Sequence, residues 1–318
     1  MPRILVTGGA GFVGSHLVDR LLADGHQVVA LDSFVTGRVA NIAHLAHHPR
    51  FALVEHDVIA PWPSLGRFDR VYNLASPASP PKYQRDPIFT LRTNVEGTLR
   101  ALEKAEHDGA RFLQASTSEC YGDPEVHPQP ETYRGAVSTL GPRACYDEGK
   151  RAAEALCADF VRARGVDARI VRIFNTYGPR MDPGDGRVVT NFVHQALRGE
   201  PLTLYGGGRQ TRSFCYVDDL VRGLVAYMEH GSPPPVLNLG NDTEHTIAEL
   251  AVLVRELVAA DVPLVGRPLP KDDPTRRRPD LRRARTALGY RPRVSLREGL
   301  ARTLAHAQAE LAPRRRVA

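Results

Sequence analysis

The sequence predicts an α/β chain, a doubly wound parallel sheet with a smaller C-terminal substrate-binding lobe, on three observations. A glycine-rich turn follows the first apolar run at the very start of the chain. Short apolar runs then alternate with amphipathic stretches through residue 175, the pattern of strands crossing over through helices. Past that point the runs are broken by glycines at 206–208 and by a charged, proline-containing stretch at 272–280. With 318 residues and 42% hydrophobic content, the chain can bury a sizeable core, as one large domain or as two lobes sharing a cleft.

Residues 3–7 read as a short buried strand, and Gly8-Gly-Ala-Gly11-Phe12-Val13-Gly14 leads from it into a helix with Leu17, Val18, Leu21 and Leu22 on one side. This strand, glycine turn and helix form a Rossmann-type dinucleotide signature. Gly8, Gly11 and Gly14 let the backbone turn tightly and approach a pyrophosphate, which rests with Phe12 and Val13 at the positive end of the helix. Residues 27–31 form a second strand ending in Asp32, where a carboxylate accepts hydrogen bonds from the adenosine ribose hydroxyls and repels a 2′-phosphate. The expected cofactor is therefore NAD rather than NADP, although Asp32 could simply cap the next turn. A third strand at 51–58 brings Asp57 and Val58 to the expected adenine edge. A fourth at 70–75 delivers Ala75 and Ser76 to the cofactor side.

The proline-rich loop 76–81 is expected to be a rigid rim beside the cleft, with Ser79 facing either substrate or nothing in particular. A helix is drawn over 86–107; its Arg92 is a candidate substrate contact, and its Asn94 a candidate for steadying either the catalytic helix or a water near the active site. The strand at 111–116 runs into Ser116-Thr117-Ser118-Glu119-Cys120-Tyr121-Gly122, at the carboxyl end of the sheet where ligands sit. Thr117 can hydrogen-bond a substrate oxygen, and Glu119 is a titratable group in the same place.

Residues 143–151 place Tyr146 and Lys150 four apart, so that on a helix both project from one face. A phenol titrates near ~10, and bringing it to neutrality takes roughly 4 kcal/mol of support for its ionised form, which a neighbouring ammonium is expected to supply. Such a pair suits proton removal from a carbinol during hydride transfer. An isolated Y-x-x-x-K also fits an ordinary amphipathic helix, so its partners decide.

In the second half, strands are read at 168–174, 201–205 and 236–240, a helix at 246–259 and a closing helix at 295–311. Asn175 follows the first of these strands into the cleft, and Asp218 reads as the N-cap of another helix. The expected division is a dinucleotide part over 1–175 with about 212–242, a sugar-nucleotide part over about 176–211 and 243–312, and a basic tail at 313–318.

Composition excludes several classes. The net charge of +6 is nearly all arginine, lysine occurring only at 82, 104, 150 and 271, and no nucleic-acid module accompanies it. Cys120, Cys145, Cys157 and Cys215 have neither metal-ligand nor disulfide spacing, which fits reduced thiols in a cytoplasmic compartment and no metal. No leader is read before the first strand and no apolar run is long enough to span a bilayer, so neither a membrane nor a nucleic-acid partner is expected.

Five motifs together carry a resemblance: T-G-G-A-G-F-V-G, S-T-S-E-C-Y-G-D-P-E-V-H-P-Q, G-P-R-A-C-Y-D-E-G-K, R-I-F-N-T-Y-G-P-R-M and D-G-R-V-V-T-N-F. They resemble the extended short-chain dehydrogenase/reductase family and, within it, the UDP-glucuronate decarboxylases (UDP-xylose synthases), from about residue 3 to about residue 300. The resemblance implies NAD as cofactor and UDP-glucuronate as substrate. Tyr146, Lys150 and Thr117 are then the redox group, and Tyr146 and Lys150 also contact the cofactor. Ser118, Glu119 and Arg277 are assigned to the decarboxylation, with Arg276 as the second choice for the arginine. Asn175, Arg187, Tyr205, Arg212 and Arg277, with Arg92, are the expected substrate contacts, Arg212 clamping the diphosphate as a planar bidentate donor. Related dehydratases tend to carry aspartate where this chain has Ser118, and Cys120 stands where valine is common. The implied reaction is decarboxylation of UDP-glucuronate to UDP-xylose through a 4-keto intermediate with NAD recycled. A UDP-glucuronate 4-epimerase, an oxidative decarboxylase that releases the 4-keto-pentose, and an NAD-binding sensor are the alternatives. A homodimer is the family expectation.

Overall fold

The computed structural model describes residues 1–259, 261–268 and 276–312. The expected basic tail and residues 272–275 of the charged stretch lie outside the described residues.

Seven parallel strands form the central sheet. Six are β1 (Arg3–Thr7), β2 (Gln27–Asp32), β3 (Phe51–Glu55), β4 (Arg70–Asn73), β5 (Arg111–Thr117) and β6 (Ala168–Ile173). With the strand Val236–Leu239 beyond β6, the spatial order is Val236–Leu239, β6, β5, β4, β1, β2, β3. The inner strands β1, β2, β4 and β5 are almost wholly buried, as their near-continuous apolar runs demand when helices cover both faces. Edge strand β3 is only half-covered, with Phe51 and Val54 partly buried and Ala52, Leu53 and Glu55 exposed. The direction of winding reverses between β1 and β4, so the crevice at their carboxyl ends is where this topology receives a ligand.

The helix drawn over 86–107 is present with a local defect. Asp86 caps Pro87–Arg92 by accepting the Phe89 N–H, Thr93–Gly97 is a π-helical turn, and Thr98–Asp108 continues the rod. The proline-rich loop contains a short helix, Pro80–Tyr83, which the sequence reading did not allow. The two prolines occupy its first positions, where a missing N–H costs nothing. Asp218 is not an N-cap. The helix Val217–Glu229 starts after Tyr216, and Asp218 and Asp219 lie in its first turn, where the helix dipole favours negative charge.

Three strands outside the main sheet bring distant arginines together. Thr211–Ser213 pairs antiparallel with Glu244–Thr246 on one side and parallel with Arg276–Arg277 on the other, Arg277 standing in register with Arg212. Helices Ile247–Val258 and Leu296–Leu311 close this half. Their N-termini are capped by Thr246, in a reciprocal box with Glu249, and by Ser295. Among the described residues no helix is long and apolar enough to cross a membrane.

Candidate active site

One cleft of about 640 Å³ opens along the carboxyl edge of the sheet. The glycine turn forms one end. Gly8 has φ +68°, and a Cβ there would lie 2.9 Å from the Ala75 nitrogen; a Cβ on Gly14 would lie 2.0 Å from the Gly8 carbonyl oxygen. The helix Phe12–Ala23 that follows has no side-chain N-cap and no acidic residue in its first turn, leaving its amides open to an anion. Gly14→Ala is therefore expected to weaken NAD binding by at least about 10-fold, read by fluorescence titration of NADH, because backbone rather than a flexible side chain must move.

A smaller hollow beside the glycine turn is lined by Gly8, Gly11, Asp32, Asp57, Val58 and Ala75 together with Thr36, Phe89 and Thr93. Asp32 has one carboxylate oxygen on the Ala10 N–H and the other on the Phe34 N–H, both at 2.9 Å. It thus caps the turn, as the blander reading had it, and also lines the hollow, with lone pairs left for two hydroxyls. Burial raises its pKa, against the opposing pull of those two N–H groups. A glycine cradle that excludes a Cβ, an open helix N-terminus and a carboxylate at the end of β2 fit a dinucleotide: Gly8 to Gly14 for the diphosphate, Asp32, Asp57, Val58 and Ala75 for the adenosine half.

At the other end, Thr117, Ser118, Glu119, Tyr146 and Lys150 line the cleft together with Asn175, Arg187, Tyr205, Arg212 and Arg277. The helix Ala144–Arg164 presents Tyr146 and Lys150 on one face. Glu154, one turn further on, accepts from the Ser116 hydroxyl of β5 at 2.5 Å and from the Arg172 guanidinium of β6 at 2.7 and 2.9 Å, fixing the helix against the sheet. Asn94 packs at the Gly149 position, where a Cβ would meet it at 3.0 Å, so it supports the helix as expected.

The electrostatics differ from the sequence expectation. Burial pushes the Tyr146 phenol well above its ordinary value; a hydrogen bond with Thr117 and the charge of Arg187 only partly oppose this. Lys150 commits its ammonium to the Ala115 carbonyl at 2.9 Å and stands 5.8 Å from the Tyr146 ring centroid, and burial brings it down to about 8. Desolvation outweighs the neighbouring cation, so the protein alone does not hold the phenolate. Tyr83, which sequence reading missed, stacks on Tyr146 with centroids 5.0 Å apart and planes 4° apart, fixing the ring.

Glu119 is held by two guanidinium groups, one oxygen on Arg277 and the other on Arg143. Burial alone would raise it, but the two arginines outweigh that and keep it below the usual carboxylate range. Glu119 is thus an ionised anchor here, not a ready acid. Arg143 was not singled out from the sequence. Arg277 is 4% exposed and lines the cleft, whereas Arg276, its neighbour on the strand, faces solvent.

Arg92 is a correction. It is exposed and forks onto Glu96 one helical turn away at 2.8 and 2.9 Å, outside the residues that line the cleft. The i, i+4 Arg–Glu spacing was a visible sign of a solvated pair. Arg92→Ala is expected to leave the KM for the sugar nucleotide within about twofold, because a solvated pair outside the cleft contributes little.

A dinucleotide cradle continuous with a buried tyrosine, lysine and threonine defines an enzyme of the short-chain dehydrogenase type with room for a second nucleotide. The chain belongs to the NAD dependent epimerase/dehydratase family, whose model matches residues 4–240. It is 55% identical over 309 residues to UDP-glucuronic acid decarboxylase 1 of Danio rerio, covering 97% of this chain and 73% of that protein. Among solved structures it resembles the UDP-glucose 4-epimerase of Thermotoga maritima with UDP-glucose (TM-score 0.89, 34% identity, 97% of this chain and 99% of that one). It likewise resembles the UDP-glucuronic acid 4-epimerase of Bacillus cereus in complex with UDP-glucuronic acid and NAD (TM-score 0.86, 29% identity, 97% and 99%).

Proposed function

We infer that this chain is an NAD-dependent UDP-glucuronate decarboxylase that forms UDP-xylose and carbon dioxide through a 4-keto intermediate. The similarity to decarboxylases over nearly the whole chain supports this. The observation that carries it in the site is Glu119 set between Arg143 and Arg277 beside Ser118, next to Tyr146. Three full charges sum to +1 there, which favours a sugar bearing a carboxylate over a neutral hexose.

Bound NAD supplies the acceptor and then the donor of the C4 hydrogen, and its positive nicotinamide ring adds the charge that the buried Tyr146 phenolate lacks. Tyr146 takes the proton of the C4 hydroxyl and later returns it. Thr117, hydrogen-bonded to that phenol, holds the same oxygen, and the two donors stabilise the enolate left when carbon dioxide departs from the β-keto acid. Arg277 and Arg143 orient the carboxylate. Arg212, beside Arg277 on the neighbouring strand, clamps the diphosphate with Arg187, and Asn175 and Tyr205 complete the substrate wall. In this reading 1–175 with about 212–242 hold NAD, about 176–211 and 243–312 hold the sugar nucleotide, and the protein works as a cytoplasmic homodimer.

The test is incubation with NAD and UDP-glucuronate, following absorbance at the NADH band and products by NMR. UDP-xylose without accumulating NADH is expected. UDP-galacturonate, stoichiometric NADH with a 4-keto-pentose, or no turnover would each contradict the reading.

A further inference from the structure

The proposed reaction breaks the C5–C6 bond, leaves the electron pair on C5 and consumes one proton for every carbon dioxide released. Glu119 is held ionised between two arginines, and a guanidinium is a poor acid at any ordinary pH. The proton therefore has no evident store among the groups assigned so far.

One buried carboxyl beside the site has no part in the mechanism. Asp147 follows Tyr146 in the first turn of the helix Ala144–Arg164, is 7% exposed, and has its Oδ1 buried without a hydrogen-bond partner. With Arg143, Arg277 and Glu119 it forms a cluster of four charges, the neighbouring Glu148 being paired with Arg151 at 3.5 Å. Ionised, Asp147 brings the cluster to zero, and an entering substrate carboxylate would leave it at −1 in a desolvated cleft. Protonated, it leaves the loaded cluster neutral.

We propose that Asp147 is a positioning residue that takes up a proton as UDP-glucuronate enters, so that the substrate carboxylate is held in a charge-balanced cluster. This rests on the decarboxylase reading.

The other groups facing Asp147 do not take that role. On its own helix are Cys145, Tyr146 and Glu148, with Arg143 just before it; the turn after β5 brings Glu119, the Pro80–Tyr83 helix brings Tyr83, and the outer strand brings Arg277. Burial raises Tyr83, Tyr146 and Cys145, which stay neutral. No histidine lines the cleft among the described residues. Burial pushes Asp147 up to about 7, the charge of Glu119 adding to it and Arg143 and Arg277 opposing. Since this lies above the unfolded value, the native state binds the proton more tightly, and stability falls as pH rises toward 7. The gain in Tm of Asp147→Asn over the parent is therefore expected to be largest at pH 7 and above and to shrink as pH falls toward 4.

The direct test is calorimetric titration at pH 8 in buffers of different ionisation enthalpy, using NAD-loaded protein in a Tyr146→Phe background that does not turn over. UDP-glucuronate is expected to bind with uptake of about one proton, and UDP-xylose, which lacks the carboxylate, with none. Adding Asp147→Asn should abolish the uptake, and Asp147→Glu, still ionisable, should restore it. No uptake by the Tyr146→Phe protein, or equal uptake after Asp147→Asn, overturns the inference and leaves the decarboxylase reading intact. Failure of UDP-glucuronate to bind at all overturns both.

Discussion

Tyr146→Phe is expected to lower turnover of UDP-glucuronate at least about 10³-fold, close to 4 kcal/mol in the barrier, with no burst of NADH and with NAD affinity within about twofold. The substitution removes one oxygen and nothing else. The ring that remains keeps its place on Tyr83, and the Lys150 bond to the Ala115 carbonyl is untouched. The cradle from Gly8 to Gly14 and the Asp32 carboxylate lie at the far end of the cleft. On the proposed mechanism, what is lost is the group that accepts the C4 hydroxyl proton, together with the Thr117 hydrogen bond. Stopped-flow absorbance with excess UDP-glucuronate measures it. A variant without the phenol oxygen that still reduces NAD at the parent rate would mean that another base serves C4.

Glu119→Gln is expected to slow carbon dioxide release by about 10²–10³-fold while sparing NAD binding. The amide keeps the shape but removes the charge that Arg143 and Arg277 share, so two cations face one another across a neutral group. A substrate carboxylate is then gripped too tightly and in the wrong place, and KM is expected to fall along with kcat. The folded state also loses a charge-assisted anchor, for an expected ~1–3 kcal/mol of stability, read as a lower Tm. Manometric or isotopic release of carbon dioxide at saturating substrate checks the first effect. Unaltered release would remove Glu119 from the reaction.

What could be read from the chain alone follows the reach of each interaction. The glycine turn, Asp32 at the end of β2 and the Tyr146–Lys150 spacing are local, and local spacing is preserved when a helix or strand forms. The arginine cage is not. Arg143 meets Glu119 across 24 residues and Arg277 meets it across 158, so no periodicity announces the contact; Arg277 was legible only through resemblance. Its register against Arg276 needed the pairing of the small sheet, which shows one side chain buried and the other exposed. Tyr83 was passed over because its stacking on Tyr146 joins a proline-rich loop to a helix far along the chain. The expected fall of the Tyr146 pKa failed for a different reason. Spacing reports which side chains are neighbours, whereas burial, which dominates here, is a property of the assembled core. Arg92 failed although its sign was present, since Glu96 stands one turn away on the same helix.

The measurement that bears most directly on a closed redox cycle is the fate of a deuterium placed at C4 of UDP-glucuronate, followed by NMR of the product in ordinary water. The expected result is UDP-xylose that retains the deuterium at C4, because the hydrogen removed there is the one returned. Loss of the C4 label to solvent, or its appearance in released NADH, would contradict it.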